Sequence, residues 1–309
     1  MFMKERMEPD LLSCLPRLMH RLPKSHRSWE DVVQDHYKVK AGFGGEQQVD
    51  SILKRARFPY VAIADLQLAG RFCQIDLVLL TPAFALVLEV KNFSGLLSFD
   101  EKSYHMKQET RDGKILGYNS PVTQAWNARE ELKVLFDWLG IELPVYTAIV
   151  LPYSSTLIEK APSDIPVIYG YSLNHFISRL PQTGQLKSLS ELEAIGQLLI
   201  DHHSLFPKTD YSKLYSYDIE QLKKGVLCVC GASCQKLSQR TFVCHSCGMK
   251  NSDGYERALE DWFEFASPEI TNAQVREYLG LKDKYAAGYL MRKMGFCMSK
   301  GSRIYRRVK

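Results

Sequence analysis

The sequence lacks any long uninterrupted apolar run, although 45% of its 309 residues are hydrophobic. A helix that spans a bilayer needs about 20 predominantly apolar residues, so this absence argues against a membrane span. Low-complexity tracts are also lacking, which indicates a chain that folds throughout, and the length predicts about two or three domains. Charged residues precede the first apolar patch, which Pro16 interrupts, so the pattern differs from that of a secretory signal. We therefore expect a cytoplasmic protein without membrane contact.

Cysteine is scarce outside one short segment. Three of the eight cysteines are scattered, whereas five lie within twenty residues: Cys228, Cys230, Cys234, Cys244 and Cys247. Such clustering in a chain without a secretion signal favours a metal site over disulfide bonds. Two cysteine knuckles about ten residues apart supply four thiolates that are able to surround Zn²⁺ tetrahedrally. The pattern is typical of a zinc ribbon with a structural zinc ion.

The two knuckles differ in how clearly they identify the zinc ligands. Cys244 and Cys247 form a Cys-x-x-Cys pattern followed by glycine, so both are predicted ligands. The first knuckle offers three cysteines for two places, and we predict Cys230 and Cys234, with Cys228 as the alternative ligand. No open coordination position is expected here, so the zinc would hold a small module folded.

Two neighbouring apolar segments carry the residues that suggest chemistry. FCQIDLVLLT and FALVLEVKN are rich in β-branched and aliphatic residues and flank the turn-prone Thr81-Pro82-Ala83, which predicts a β-hairpin. Asp76 lies on the first strand, and Glu89 and Lys91 lie on the second. Side chains alternate faces along a strand, so Glu89 and Lys91 are expected to point the same way. The hairpin therefore predicts two carboxylates and a lysine close together.

These three side chains suit metal-assisted hydrolysis of a phosphodiester. Asp76 and Glu89 offer the hard oxygen ligands that Mg²⁺ or Mn²⁺ prefers. Lys91 is able to orient an attacking water or to neutralise charge that develops on the phosphorus centre. The alternative interpretation is an ordinary hairpin whose charged side chains form a solvated ion pair, which contributes little to stability.

Two flanking segments offer further candidates. Gly42-Phe43-Gly44-Gly45 predicts a flexible turn that opens an amphipathic helix, which places Glu46 in the first helical turn. The Glu46 carboxylate either complements the helix dipole, at about 0.3–1 kcal/mol, or reaches the metal site. Downstream, Asn119-Ser120-Pro121 initiates another helix with Gln124 just inside it. The Gln124 amide either holds a phosphate or a water, or is a solvated surface group.

Taken in order, these four motifs resemble the nuclease-related domain family, known as NERD, over residues 38–155. The resemblance implies the PD-(D/E)xK, restriction-endonuclease-like fold, an α/β architecture with a mixed sheet flanked by helices. It also implies a nuclease with magnesium as its cofactor. By this resemblance the catalytic positions are Glu46, Asp76, Glu89 and Lys91, with Gln124 as a weaker addition.

The C-terminal segment resembles a winged helix-turn-helix. Two short helices with a tight turn at Gly280-Leu281 are followed by a predicted hairpin over 296–305. Residues 282–309 contain nine Lys or Arg against Asp283 alone, for a net charge of +8. Because the whole chain carries +5, the preceding residues sum to −3, so the positive charge is local.

A local basic patch attracts a phosphate backbone through counterion release. The predicted nucleic-acid contacts are Lys284, Arg292, Lys293, Lys300, Arg303, Arg306 and Arg307. Tyr285 or Tyr305 would add stacking or sugar contacts. The alternative interpretation is a solubilising basic tail or a wing that binds another protein.

The sequence thus predicts five segments and one favoured function. The segments are a helical N-terminal extension (1–37), a nuclease-related domain (38–205), a linker (206–224), a zinc ribbon (225–250) and a winged-helix-like basic module (251–309). The favoured function is metal-dependent cleavage of DNA, with the C-terminal modules as docking elements. The alternatives are a DNA-binding regulator or adaptor that does not cleave, and a nuclease directed at RNA. The sequence leaves the oligomeric state and any protein partner open.

Overall fold

The chain folds into two units, which the computed structural model describes at residues 1–68, 74–182, 184, 186–205, 208–238, 241–298 and 304–307, without the side chain of Arg307. The first unit comprises Met1–Glu8 and Lys40–Pro207, and the second comprises Pro9–Val39 and Lys208–Lys309. The helices are α1 (Asp10–Arg21), α2 (Trp29–Lys54), α3 (Pro121–Leu139), α4 (Leu173–Arg179), α5 (Leu189–Asp201), α6 (Tyr211–Leu214), α7 (Gly254–Phe265), α8 (Asn272–Leu279) and α9 (Lys284–Lys293). The strands are β1 (Phe2–Lys4), β2 (Val61–Gln67), β3 (Gln74–Leu80), β4 (Ala85–Val90), β5 (Gly95–Asp100), β6 (His105–Glu109), β7 (Ile115–Asn119), β8 (Val145–Leu151), β9 (Thr156–Lys160), β10 (Val167–Tyr169), β11 (Cys234–Lys236), β12 (Phe242–Cys244), β13 (Lys250–Asn251), β14 (Glu269–Thr271), β15 (Phe296–Met298) and β16 (Ile304–Arg307).

A mixed six-stranded sheet forms the centre of the first unit. Its strand order is β1-β2-β3-β4-β8-β10, with β2-β3 and β3-β4 antiparallel and the other neighbours parallel. The β3-β4 pair is the predicted hairpin. The sequence pattern did not predict β1, which is a three-residue strand parallel to β2.

Both faces of this sheet are covered by helices. Alternating strand residues such as Ile63 and Ala64 belong to opposite cores. One core adds residues of α3 and α5, and the other adds residues of α2 and α4. The near-continuous apolar character of β3 and β4 follows from this burial on both sides. The first unit is therefore mixed α/β, as the sequence predicts. Among the helices in the described ranges, none has the length and hydropathy that crossing a membrane requires.

A second sheet of the first unit was not anticipated from the sequence. It has the order β7-β6-β5-β9, with β5 parallel to β9 and the other pairs antiparallel. Its buried side is small, with Leu97, Phe99 and Met106 packed against Leu151 of the main sheet. Short polar segments between these strands hide their periodicity, so the sequence signal is weak.

Helix α2 corrects the prediction for the glycine-rich segment. The helix is continuous from Trp29 to Lys54, so the predicted turn is wrong and Glu46 is far from the helix N-terminus. The helix-dipole interpretation of Glu46 therefore no longer applies. At Gly45, an added Cβ would lie 2.9 Å from Asn92 Cβ and 3.0 Å from a Pro152 ring carbon. Close packing against these loops, rather than a turn, explains a glycine inside this helix.

In its described residues the second unit contains two small sheets, the helices α1, α6, α7, α8 and α9, and the first part of α2. The β11-β12-β13 and β14-β16-β15 sheets are antiparallel throughout. A core that includes Trp262, Val275 and Leu290 joins α7, α8 and α9. Asp261 on α7 accepts hydrogen bonds from Arg17 and Arg21 of α1, each at 2.7 Å, which fixes α1 on this unit.

Candidate functional sites

The first candidate site lies where β3 and β4 separate. Their pairing runs from Leu80 opposite Ala85 to Leu77 opposite Leu88. At the next position the carboxylate of Asp76 accepts a hydrogen bond from the backbone N–H of Val90, at 2.8 Å. The side chain therefore takes the place of a backbone acceptor where the pairing of β3 with β4 ends.

Glu89 and Lys91 share this opening. Lys91 Nζ lies 2.7 Å from Glu89 Oε1, which places the two side chains on the same side of the strand, as predicted. Glu89 is only 5% exposed. Burial, and then the nearby Asp76 carboxylate, raise the pKa of Glu89 to about 7. Burial also raises the pKa of Asp76. Burial alone would lower the pKa of Lys91, but its ion pair with Glu89 raises it.

Glu46 joins these residues and is held by an arginine. Arg6, just after β1, donates from Nη1 to Glu46 Oε2 at 3.0 Å and from Nη2 to the backbone oxygen of Asp76 at 2.9 Å. Burial, opposed by Arg6 and assisted by Asp76, raises the pKa of Glu46 to about 7. The structure thus brings Glu46, Asp76, Glu89 and Lys91 into one cluster.

Three members of the cluster were missed in the sequence. Asp50 accepts from Arg6 Nε at 2.9 Å, and Asp65 accepts from Arg6 Nη1. Asp50 follows Glu46 by one helical turn, a spacing that could have identified it. Asp65 has φ +50°, a left-handed conformation that interrupts the face alternation of β2 and has no sequence signature. Arg6 is distant along the chain from all its partners, so only the fold identifies it.

The cluster is rich in negative charge. Five carboxylates (Glu46, Asp50, Asp65, Asp76 and Glu89) face Arg6 and Lys91, and Lys4 lies beside Asp65. With every one of these groups ionised, the formal excess is two negative charges. Asp76 and Glu89, the two carboxylates beside Lys91, offer oxygen donors of the kind that a hard divalent cation such as Mg²⁺ or Mn²⁺ prefers, and such an ion would offset their mutual repulsion.

Gln124 is the predicted residue that the structure leaves apart. It is exposed on α3, which begins at Pro121 as predicted and is capped by Ser120, whose hydroxyl accepts from the Val122 N–H. Within the part of the chain that the structure describes, no hydrogen bond or ion pair joins Gln124 to the carboxylates.

Most residues of this cluster lie in a segment that matches the model of a known family. Residues 41–152 match the family model NERD, the nuclease-related domain. The NERD segment contains Glu46, Asp76, Glu89, Lys91 and Gln124 and covers less than half of the chain, whereas Arg6 lies outside it. The match supports a nuclease-related function in general terms. No curated protein and no solved structure shows a significant match to the chain.

The second candidate site is a group of four cysteines. The Sγ atoms of Cys228, Cys230, Cys244 and Cys247 all lie within 4.8 Å of one another. Two of the Sγ–Sγ distances, Cys228–Cys247 and Cys230–Cys244, are 3.6 Å. A tetrahedral zinc with Zn–S bonds of about 2.3 Å separates its sulfur atoms by roughly 3.8 Å. The group therefore has the donor type and the size for a metal such as zinc.

The structure gathers the alternative ligand, Cys228, and leaves the preferred Cys234 outside the four. Cys234 begins β11 opposite Cys244, and its Sγ accepts from Asn251 Nδ2 at 3.8 Å. The reason is the turn at Gly231, whose N–H donates to the Cys228 carbonyl at 2.9 Å. This turn presents Cys228 and Cys230 together, before the chain reaches Cys234.

The second knuckle also ends in a glycine turn, which is one residue longer than the first. The Gly248 N–H donates to the Cys244 carbonyl at 3.0 Å, and Gly248 has φ +72°, which favours glycine. The backbone N–H of Cys247, followed by that of Ser246, points at Cys244 Sγ and helps to lower the pKa of Cys244 to about 6. A thiol with this pKa is readily present as the thiolate that binds metal.

The third candidate site is the outward face of α9. Tyr285 and Tyr289 are 72% and 65% exposed, and Lys284 and Arg292 are exposed beside them. Tyr305, by contrast, is 3% exposed in the core, so the predicted stacking role for it is wrong.

The remaining predicted basic contacts differ in their surroundings. Lys293 pairs with Glu256 at 2.7 Å, and Arg306 pairs with Glu269. Lys300, Arg303 and the side chain of Arg307 lie outside the described residues. The described basic surface therefore centres on α9.

Proposed function

We propose that the first unit is a metal-dependent nuclease that hydrolyses phosphodiester bonds in DNA. The observation that carries this proposal is the cluster of Asp76, Glu89 and Lys91 at the β3-β4 opening, inside the NERD segment. An ordinary solvated ion pair would not need a second buried carboxylate beside it, because that carboxylate adds repulsion. The sheet with helices on both faces supports a PD-(D/E)xK-like fold for this unit.

The proposed roles follow from position and charge. Asp76 and Glu89 would hold Mg²⁺ or Mn²⁺, which when bound supplies positive charge at the scissile phosphate and lowers the pKa of water. Lys91, beside Glu89, is placed to orient the attacking water or to donate to a phosphate oxygen as its charge increases. Glu46 orients the water or completes the carboxylate set.

The reaction balances with water alone as co-reactant. The water oxygen forms a bond to phosphorus, and the bond from phosphorus to one sugar oxygen breaks. One water proton ends on the leaving oxygen, and the other is released from the new phosphomonoester. The products are one fragment with a hydroxyl end and one with a phosphate end.

The two modules of the second unit would bind zinc and DNA. We propose a zinc ribbon formed by the β11-β12-β13 sheet and Cys228, Cys230, Cys244 and Cys247, with a structural zinc. We also propose a winged-helix-like module formed by α7–α9 and the β14-β16-β15 sheet. Exposed cations on α9 would contact phosphates, and the neighbouring tyrosines would contact sugars or bases.

The test is cleavage of labelled single- and double-stranded DNA and RNA by the purified chain with Mg²⁺, Mn²⁺ or a chelator. We expect DNA cleavage that requires the divalent ion. Asp76→Ala should lower the rate by about 10²–10³, and so should Lys91→Ala, which removes a group that stabilises the transition state. Asp112→Ala, a change to an exposed carboxylate paired with Lys114, is the matched control and should leave the rate unchanged.

Three outcomes would contradict the proposal. Equal cleavage by the wild type and Asp76→Ala would show that the activity comes from elsewhere. DNA binding without any cleavage would instead support a regulator or adaptor, and cleavage confined to RNA would reassign the substrate.

A further inference from the structure

Arg6 is the most fully enclosed cation of the first unit's acidic cluster. Its side chain is 3% exposed. Its guanidinium reaches the carboxylates of Glu46, Asp50 and Asp65 and the backbone oxygen of Asp76. These partners belong to α2, β2 and β3, so one side chain connects three elements of the first unit.

The geometry of arginine explains why this residue type is needed. Its planar guanidinium presents five N–H donors in a fixed fork, whereas a lysine ammonium is a single point charge. Arg6 uses all three of its nitrogens: Nε donates to Asp50 Oδ2 at 2.9 Å, Nη1 to Glu46 and Asp65, and Nη2 to Asp76. Without this cation, three carboxylates would repel one another across a buried space.

We infer that Arg6 is a positioning residue of the candidate nuclease site, which fixes the Glu46 carboxylate beside Asp76 and occupies the space that would otherwise attract an additional cation. The inference rests on the proposed function, because it assigns Arg6 to the same site. Arg6 acts through Glu46, and it is not itself assigned contact with the reacting phosphate.

Arg6 lies outside the segment that matches the NERD family model. Arg6 is carried by the segment Met1–Glu8, which is anchored by β1 pairing with β2, Phe2 opposite Ala62. Lys4 fastens the same segment, because its Nζ donates to the backbone oxygens of Ala64 and Asp65 at 2.8 and 3.0 Å. Residues 41–152 alone would therefore lack the group that orders Glu46.

The first test measures cleavage by full-length Arg6→Ala, Arg6→Lys and a control. Arg6→Ala should lower kcat by about 10²-fold with little change in KM, because a misplaced Glu46 affects the reaction more than binding. Millimolar guanidinium should restore about a tenth or more of the lost rate, whereas methylammonium should not. The control is Lys54→Met, which removes an exposed ion pair between α2 and Glu5 of the same segment and should leave kcat unchanged.

The second test does not depend on activity. Mn²⁺ prefers oxygen ligands, so calorimetric titration of the zinc-loaded chain reports the carboxylate site. Arg6→Ala should bind one Mn²⁺ more than the wild type, and guanidinium should displace that additional ion. If the wild type cleaves no nucleic acid, the proposed function fails, and the Mn²⁺ titration still decides the role of Arg6.

Either of two results with Arg6→Ala would overturn the inference. A folded Arg6→Ala with wild-type kcat, or with unchanged Mn²⁺ stoichiometry, overturns it. If Arg6→Ala does not fold, Arg6→Lys decides, because one ammonium cannot hold all the partners in place. A fall in kcat of about tenfold for Arg6→Lys supports the inference, and wild-type kcat overturns it.

Discussion

At the scale of single residues, the acidic cluster is defined by carboxylates that the fold buries close together. Burial raises the pKa of Glu46 and of Glu89 to about 7 each. An unfolded chain exposes both groups to water, where their pKa returns to the ordinary range of glutamate. At pH values between the ordinary pKa of glutamate and about 7, the folded chain binds more protons than the unfolded chain, so its stability depends on pH.

The first prediction concerns this linkage. Because both pKa values are raised by folding, their contribution to stability is complete below about pH 4.5 and is lost as the pH rises through about 7. In a chelator, the wild type should therefore lose unfolding free energy relative to Glu89→Gln between about pH 5 and pH 8. Thermal unfolding of both variants across this range measures the difference.

Magnesium provides the internal control for that experiment. Metal binding requires ionised carboxylates, so saturating Mg²⁺ should stabilise the wild type more at about pH 8 than at about pH 5. A wild-type chain whose stability relative to Glu89→Gln rises with pH in the chelator would contradict the assigned burial.

At the scale of secondary-structure elements, short turns decide which side chains meet. The β3-β4 hairpin places two carboxylates at its open end, and two glycine turns present the cysteines in pairs. On α2, Gly45 allows the loops at Asn92 and Pro152 to approach the helix next to Glu46.

The second prediction distinguishes the cysteines. Wild-type chain should contain about one zinc, and Cys244→Ser should lose it and unfold the β11-β12-β13 segment, because structural zinc is coupled to local folding. Cys234→Ser is the matched control and should keep the zinc. Metal analysis by mass spectrometry measures the zinc content of each variant. Loss of zinc in Cys234→Ser with retention in Cys228→Ser would reverse the assignment.

The third prediction compares two glycines of α2. Gly45→Ala should destabilise the chain by about 1–3 kcal/mol, because the added methyl group overpacks against Asn92 and Pro152. Gly42→Ala meets nothing within 4 Å and should stabilise it by roughly 1 kcal/mol, through better helix propensity. Denaturant unfolding of both variants measures the two changes. An unchanged or higher unfolding free energy for Gly45→Ala would contradict overpacking against Asn92 and Pro152.

At the scale of the whole molecule, the clustered negative charge and the clustered positive charge belong to different units. The acidic cluster belongs to the first unit, and the basic face of α9 belongs to the second. The proposed division is therefore between a unit that cleaves and a unit that binds.

The fourth prediction tests this division with paired variants. Lys284→Ala combined with Arg292→Ala should weaken DNA binding for all sequences alike and flatten its dependence on salt by roughly one unit of slope per lost phosphate contact. The cleavage rate of this variant at saturating DNA should equal that of the wild type. Glu89→Ala should bind normally and fail to cleave. Lys133→Ala, on α3 of the first unit, is the control for removal of one exposed cation. If the α9 variant kept its affinity for DNA but lost cleavage, the proposed division into a cleaving unit and a binding unit would be contradicted.

The sequence by itself determined the features that depend on neighbours along the chain. The β3-β4 hairpin, the side shared by Glu89 and Lys91, and the start of α3 after Ser120 are read from alternation and turn chemistry. The cysteine cluster is likewise local, because its five cysteines lie within twenty residues.

Only the tertiary structure decided which distant groups meet. Arg6 contacts carboxylates at least forty positions away, and no local pattern encodes such a contact. The choice of Cys228 over Cys234 depends on the turn at Gly231 and on strand pairing. The glycine at position 45 of α2 is explained by the loops that pack against it, and these loops are distant along the chain. In each case the deciding free energy comes from packing and charge pairing across the fold, and residue order alone does not specify these contacts.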